Sequence, residues 1–165
     1  MAIRELILVL EQMSQVYTVL LQLEEQKKPA IIANRVDELS QIMQQEAKLM
    51  ILAEQLEARR SDTVREFTQS QGLPQHGITM NELPRLVFQL EERKSLILAQ
   101  DTLAQIVMRV KEMNDLNRQL VQHSLAFIDY SLDLFMGSPE QEFTYSRPTA
   151  AGSAVSRSGF INVRA

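Results

Sequence analysis

Apolar residues recur every three or four positions from the start of the chain, which is the spacing of one helix face and not the alternation of a strand. This first stripe runs from Ile3 to Leu20 and has the character of a heptad repeat. Pro29 follows it, and a proline disfavours helical backbone in the residue before it. The pattern therefore predicts a first helix that ends near residues 26–28.

Two rows of apolar residues continue the pattern over residues 32–67. One row includes Met43 and Met50, and a parallel row includes Ile42 and Leu49. A helix with two apolar faces has two surfaces to bury. We therefore expect this second helix to contact two neighbours.

A stop signal ends the second helix at residues 72–74, which read Gly-Leu-Pro. After a short loop, Thr79 or Asn81 is the predicted cap of the next helical segment. Glu82 stands at capping-box spacing from Thr79, and Pro84 suits a first helical turn. The chain therefore turns back on itself within about ten residues.

The last helical pattern continues almost unbroken from Leu86 to Phe135. Short connections between long helices favour antiparallel neighbours, so we predict an all-α helical bundle or extended antiparallel coiled coil. The longest seam of this helix contains Leu103, Ile106, Val110, Met113, Asn117, Leu120, Ser124, Phe127, Ser131 and Leu134.

The composition changes at Gly137. Residues 137–165 hold three of the five glycines and two of the five prolines, with isolated aromatic patches at residues 143–145 and 160–163. A segment with so few apolar residues cannot offset its ordering entropy, while its aromatics suit contacts with a partner. We predict a helical domain over residues 1–136 and a flexible, disordered tail over residues 137–165.

The overall composition narrows the classes of function. Net charge is −4 with a pI near 5.3, and clustered Lys and Arg are lacking, which argues against nucleic-acid binding. Cysteine is absent, so disulfides and thiolate chemistry are excluded. No uninterrupted run reaches the roughly 20 apolar residues of a membrane span. We therefore expect a cytoplasmic protein without membrane insertion.

The residues with catalytic or metal-binding potential form no recognisable active site. His76 lies in the predicted loop and His123 on the last helix, and neither has a glutamate three residues before it, as a di-iron bundle requires. His123 and Ser124 are adjacent, so on a helix they point about 100° apart and cannot act as base and nucleophile. We predict no enzyme, no cofactor and no metal.

Asn114 and Asn117 are polar residues in or beside an apolar seam, and two interpretations stay open. They could be buried amides that align helices, because a single Asn in a seam fixes register at a cost in stability. They could instead be polar positions in a groove that accepts a foreign helix. The methionines, among them Met43 and Met50, could fill core gaps or form an adaptable binding surface.

Residues 42–60, which include Leu56, Glu57 and Arg60, resemble the second-helix segment of FlgN-type flagellar export chaperones. Residues 113–120, Met-Asn-Asp-Leu-Asn-Arg-Gln-Leu, resemble the last-helix signature of that family. The tail, with Tyr145 and a later glycine, is also similar. The resemblance covers nearly the whole chain in order and spacing.

The resemblance implies a chaperone that binds the C-terminal helical segment of hook–filament junction (hook-associated) proteins. It implies that the chaperone prevents premature assembly of these clients and delivers them to the export gate of the flagellar type III machinery. Tyr145 matches the family tyrosine that contacts the cytoplasmic domain of the gate protein, although Gly152 lies further from it than is usual. The expected client-binding residues are Asn114, Asn117, Leu120, Val121, Ser124, Phe127 and Leu134.

A second class of function fits the same heptads. A structural coiled-coil scaffold or adaptor would assemble through them, and a homodimer is compatible with either class. A chaperone should change on binding a junction protein, whereas a scaffold should self-associate strongly.

Overall fold

The computed structural model describes residues 2–73 and 78–137, and these residues form helices and no strand. The four helices are α1 (Ala2–Ile32), α2 (Val36–Ser70), α3 (Leu83–Leu86) and α4 (Leu90–Met136). The predicted all-α class is confirmed. Most of the predicted tail, residues 138–165, lies outside the described residues, so the proposed division into a domain and a tail stays a prediction.

Helix α1 is the centre of the bundle. Both α2 and α4 pack against it, while α2 and α4 do not approach each other closely within the described residues. The side chains of Leu6, Val9 and Leu10 on α1 and Leu96 on α4 are almost completely buried. Each such burial contributes about 1.5–3 kcal/mol. Because most of the buried apolar residues lie on α1, this helix supplies most of the apolar surface that holds the fold together.

The contacts along α1 fix the directions of its neighbours. Arg59 on α2 pairs with Glu5, near the start of α1, and Glu46 pairs with Lys27, near its end, so α1 and α2 are antiparallel. Arg4 pairs with Glu92 on α4, and the later contacts of α4 fall near the end of α1. Helices α1 and α4 are therefore parallel, because the chain reverses twice between them.

The first helix ends later than the sequence predicted, since Pro29 lies inside it. The helix stops where Asn34 adopts a φ of 53°, a left-handed conformation. The backbone N–H of Arg35 then donates to the carbonyl of Ala30 at 2.9 Å, as in a Schellman motif. The predicted end at residues 26–28 is wrong because Asn34, and not Pro29, provides the stop.

The prediction that the second helix contacts two neighbours is also wrong for the described residues, where α2 packs on α1 alone. Ile42 and Leu56 face α1 and are buried, whereas Met43, Met50 and Ile51 are exposed. One of the two apolar faces of α2 therefore has no intramolecular neighbour in the described part of the chain.

In the connection from α2 to α4, Glu82 contacts Thr79 at the predicted capping-box spacing, but the predicted cap at Thr79 or Asn81 is wrong, because α3 begins only at Leu83, directly after Glu82. The Glu82 carboxylate accepts hydrogen bonds from the backbone N–H of Thr79 at 2.8 Å and from its hydroxyl at 3.0 Å. These bonds hold the pKa of Glu82 below its ordinary value. The Arg93 guanidinium donates to the carbonyl of Val87 at 2.7 Å, which ties the end of α3 to the first turn of α4.

One helix among the described residues is long and apolar enough to cross a membrane by length and composition alone. It is α1, whose most apolar window has a mean hydropathy of 1.4. The sequence prediction considered only uninterrupted apolar runs, whereas polar residues interrupt this window. Half of that window is buried inside the bundle. The central helix of a bundle also has such an apolar composition, because its neighbours cover it.

Candidate partner-binding site

A buried polar layer joins α1 and α4 near the end of α1. The Asn117 side-chain amide is 3% exposed. Its nitrogen donates to the Glu24 backbone carbonyl at 2.8 Å and to the Glu24 carboxylate at 2.7 Å. One turn earlier, the Asn114 amide donates to the other Glu24 carboxylate oxygen at 2.9 Å. Because both amides satisfy one buried carboxylate, the layer fixes the register of the two parallel helices.

Lys27 extends this layer to α2. Its ammonium lies 3.1 Å from a Glu24 oxygen and 2.8 Å from the Oε2 atom of Glu46, and all three side chains are at least 86% buried. Burial alone would raise the pKa of Glu24, but hydrogen bonds from Asn114, Asn117 and Lys27 outweigh it and lower the pKa. Burial raises the pKa of Glu46, and Lys27 offsets this only in part. Two buried carboxylates thus share one buried ammonium.

A groove of about 370 Å³ opens between α2 and α4, with α1 as its floor. Its lining is largely apolar, with polar groups at the polar layer, where Glu46 and Asn114 face it, and at Lys111. The Oε1 atom of Glu46 is buried and accepts no hydrogen bond from the described residues. The groove is lined by Tyr17, Leu20, Glu24, Glu46, Met50, Val107, Val110, Lys111 and Asn114.

Helix α4 continues past the end of the bundle. Glu24 is level with Asn117, and α1 ends eight residues later at Ile32, so α4 extends beyond it by about eleven residues, or roughly 16 Å. Phe127, Leu134 and Phe135 are exposed in this segment, with exposed fractions of 70%, 66% and 89%. A helix that is apolar on most sides normally lies buried, so this end of α4 is a surface that a partner would cover.

Five apolar residues of this region follow a heptad spacing of four, three, four and three. They form what we call the exposed seam, and their exposed fractions lie between 37% and 89%. Seven-residue steps back from it lead to Lys111 and Asn114, which line the groove, and a straight helix drifts by only about 20° per heptad. The exposed seam and the groove are therefore neighbouring parts of one face of α4. The exposed seam consists of Val121, Leu125, Ile128, Leu132 and Phe135.

The charge of this end of α4 is one-sided. Asp129 and Asp133 are acidic, and no Lys or Arg follows Arg118 within the helix. Two copies of the segment would bring like charges together when paired. A partner with basic residues beside its own apolar seam would instead gain from the contact.

The predicted client-binding residues occupy different environments. Asn117 is buried against α1, and Leu120 and Ser124 are half-buried. The other four are exposed: Asn114, which lines the groove, and Val121, Phe127 and Leu134. Direct contact of a client with the Asn117 amide would require α1 and α4 to separate, so in this structure that residue aligns helices. Tyr145 lies outside the described residues.

Comparison with known families identifies the chain. The model of the FlgN protein family matches residues 1–152, nearly its whole length. The chain belongs to the FlgN family. Its role is therefore of the flagellar export-chaperone type, and the FlgN family is one of chaperones and not of enzymes.

A curated relative agrees with this assignment. The uncharacterized protein YvyG of Bacillus subtilis (strain 168) is 29% identical over 153 residues, which cover 92% of this chain and 91% of that protein. No solved structure gives a significant match to this chain. FlgN membership thus rests on the family match and the resemblance of the helical segments.

Several residues of the site were not singled out from the sequence. The sequence pattern does not favour Leu125, Ile128 and Leu132, because the neighbouring row, with Leu120 and Phe127, forms the longer seam. Their strict heptad spacing was the signal that could have found them. The groove position of Glu46 had no comparable signal, since a glutamate beside glutamines resembles a solvated helix face.

No cluster of residues in the described part of the FlgN-family chain could hold a metal ion. His123 is exposed on α4, and His76 lies outside the described residues. The features that the structure does present are an apolar helix end and a groove, both suited to binding a helix.

Proposed function

We propose that this FlgN-family protein is a cytoplasmic type III export chaperone for hook-associated junction proteins. In this proposal it binds the C-terminal helical segment of its client, prevents premature assembly and presents the client to the export gate. The observation that carries the proposal is the exposed seam on α4, which begins beside the last turns of α1 and continues beyond its end.

An unassembled client helix with an apolar face would self-associate, and a complementary helix can cover it by packing seam against seam. Five exposed apolar side chains give such a contact a continuous surface of about two heptads. The client must later be released without ATP chemistry in this chain. Moderate affinity is therefore expected, of the order of micromolar to nanomolar, or about −8 to −12 kcal/mol.

Gate docking through Tyr145 rests on the family resemblance. If residues after 137 link the two contacts, a chaperone that holds a client would reach the gate at a high effective concentration. The substitution Tyr145→Ala should then weaken binding to the cytoplasmic domain of the gate protein and leave client affinity within a few-fold of the parent. A loss of client affinity above tenfold would instead assign Tyr145 to the client site.

The client contact can be tested by isothermal titration calorimetry of the full chain against a junction protein from the same organism. Leu132→Glu should weaken binding by tenfold or more, because it places a charge in the exposed seam beside two aspartates. Leu98→Glu is the matched control, since Leu98 is 68% exposed on the same helix but far from the seam. Equal affinities of both variants and the parent would contradict the proposal.

The alternative function, a structural coiled-coil scaffold, draws on the same seam. It predicts a stable homo-oligomer at micromolar concentration that Leu132→Glu dissociates. Asp129 and Asp133 disfavour pairing of two copies along this seam, which is why we place the client first. Analytical ultracentrifugation of the parent, without any client, separates the two functions.

A further inference from the structure

The groove between α2 and α4 contains a carboxylate that the rest of the described chain only half satisfies. The Oε2 atom of Glu46 pairs with Lys27 at 2.8 Å. Its Oε1 atom is buried and accepts no hydrogen bond from the described residues. A buried carboxylate oxygen without a donor destabilises the protein, so a ligand that donates a hydrogen bond to this oxygen would bind favourably.

The charge around Glu46 indicates the sign of the missing group. On the side of α1, Glu24 and Lys27 face it, and Asn114 on α4 is neutral and already donates to Glu24. The buried set therefore holds two carboxylates and one ammonium. Lys111 lines the opposite wall of the groove, but it is exposed and lies beyond 4 Å of Glu46.

The groove also lies where a helix bound to α4 would pass. Val107, Lys111 and Asn114 line it and stand on the same heptad track as the exposed seam. The floor and upper wall are apolar, with Leu20, Met50 and Val110. A helix that covers the exposed seam and continues towards the bundle would enter between α2 and α4, which leave this space because they do not pack together.

We propose that Glu46 is a specificity-determining residue: it receives a Lys or Arg side chain from the partner helix that lies in the α2–α4 groove. The inference rests on the proposed chaperone function and adds the chemistry that the client must carry. Clients with an apolar seam and one cation in the correct register would gain this contact, and equally apolar helices without it would bind more weakly. The weaker binding follows because such helices leave the Glu46 oxygen buried without a donor, as it is in the free protein.

The distinguishing consequence is that one substitution should act in opposite directions on folding and on binding. In the free protein, Glu46→Gln removes a buried charge and should leave the midpoint of urea unfolding equal or higher. In the complex, it removes the acceptor of the client's cation and should weaken binding at least tenfold. A merely structural role would lower both.

The probe is a synthetic peptide with the C-terminal helical segment of a junction protein from the same organism, titrated into the full chain. Peptide variants with each Lys or Arg changed to Met complete a double-mutant cycle against Glu46→Gln. One peptide position should lose affinity with the parent protein and lose none with the Glu46→Gln protein. Glu54→Gln is the control, because Glu54 is exposed on the same helix and carries the same charge.

The outcomes separate the two proposals. If the parent binds the peptide and Glu46→Gln binds it equally well, the specificity role of Glu46 is overturned and the chaperone function stands. If the parent does not bind the peptide at all, the client assignment falls and this inference falls with it. If Lys111→Met abolishes the stability difference between the parent and Glu46→Gln, the cation is Lys111 of the chain itself, and the inference is overturned.

Discussion

The two ends of the bundle carry the same kind of sequence and have opposite fates. In the first half of α1, apolar residues at three- and four-residue spacing, such as Leu6 and Leu10, are almost fully buried. At the end of α4, Leu125, Ile128 and Leu132 have the same spacing and stay exposed. The difference is the presence of neighbouring helices, because α1 has a helix on each side, whereas α4 extends beyond the end of α1. A heptad pattern therefore predicts a surface to be covered and does not say by which molecule.

The largest effect should come from truncating the buried end. Leu10→Ala should destabilise the fold by about 2–5 kcal/mol, because it leaves a cavity between α1 and its neighbours. Leu132→Ala should change the free energy of unfolding by no more than about 0.5 kcal/mol, since its side chain is half exposed. Urea unfolding followed by circular dichroism measures both. Equal losses would mean that the end of α4 is packed within the free protein.

The polar layer between the two ends should show a smaller but clear effect. Asn117→Ala removes two hydrogen bonds to Glu24 and leaves its buried carboxylate with one donor fewer, at a cost of about 1–3 kcal/mol. Ser124→Ala, two turns further along α4, is the control and should be nearly neutral. An unchanged urea midpoint for Asn117→Ala would show that the amide does not hold α1 and α4 in register.

The pH dependence of stability should show the smallest effect, with a defined sign. Glu46 has a pKa above the ordinary 4.5, so the folded state binds its proton more tightly than the unfolded state does. Its contribution to stability is complete below pH 4.5 and is lost as pH rises through the raised value. Glu24, with a lowered pKa, contributes stability above pH 4.5 that is lost as pH falls through the lowered value.

Glu46→Gln isolates the first of these contributions. Relative to the parent, the variant should gain stability as pH rises above 4.5, because the parent alone loses the contribution of Glu46 as pH rises through the raised pKa. Urea midpoints at several pH values across this range provide the measurement. A constant difference between variant and parent would show that Glu46 is not perturbed in the fold.

The sequence predicted the positions of the helices well and the contacts between them less well. Periodicity alone located the long helices and the stop near Gly72, because these are local properties of the chain. The sequence did not predict the end of α1 at Asn34, because an asparagine can adopt a left-handed conformation but no sequence pattern shows that this one does. The number of neighbours of α2 was wrong because a second apolar face, with Met43 and Met50, is compatible with either a core contact or a binding surface.

The site was predicted in region but not in detail. The last helix was identified, yet Asn117 is buried against Glu24 while the neighbouring row with Leu125 and Leu132 is exposed. A helix drawn from sequence has no fixed rotation about its axis, so adjacent rows compete for the buried face. The rotation of α4 about its axis and the point where α1 ends together decide which residues of α4 lack an intramolecular neighbour.

Hydrogen–deuterium exchange of the full chain, with and without the C-terminal segment of a junction protein, tests whether the end of α4 is the client site. We expect amides of residues 121–136 to exchange quickly in the free protein and to become strongly protected when the segment is bound. Protection should be small in the first half of α1, which is already covered. If the bound segment protects the first half of the bundle and leaves residues 121–136 unchanged, the end of α4 is not the client site.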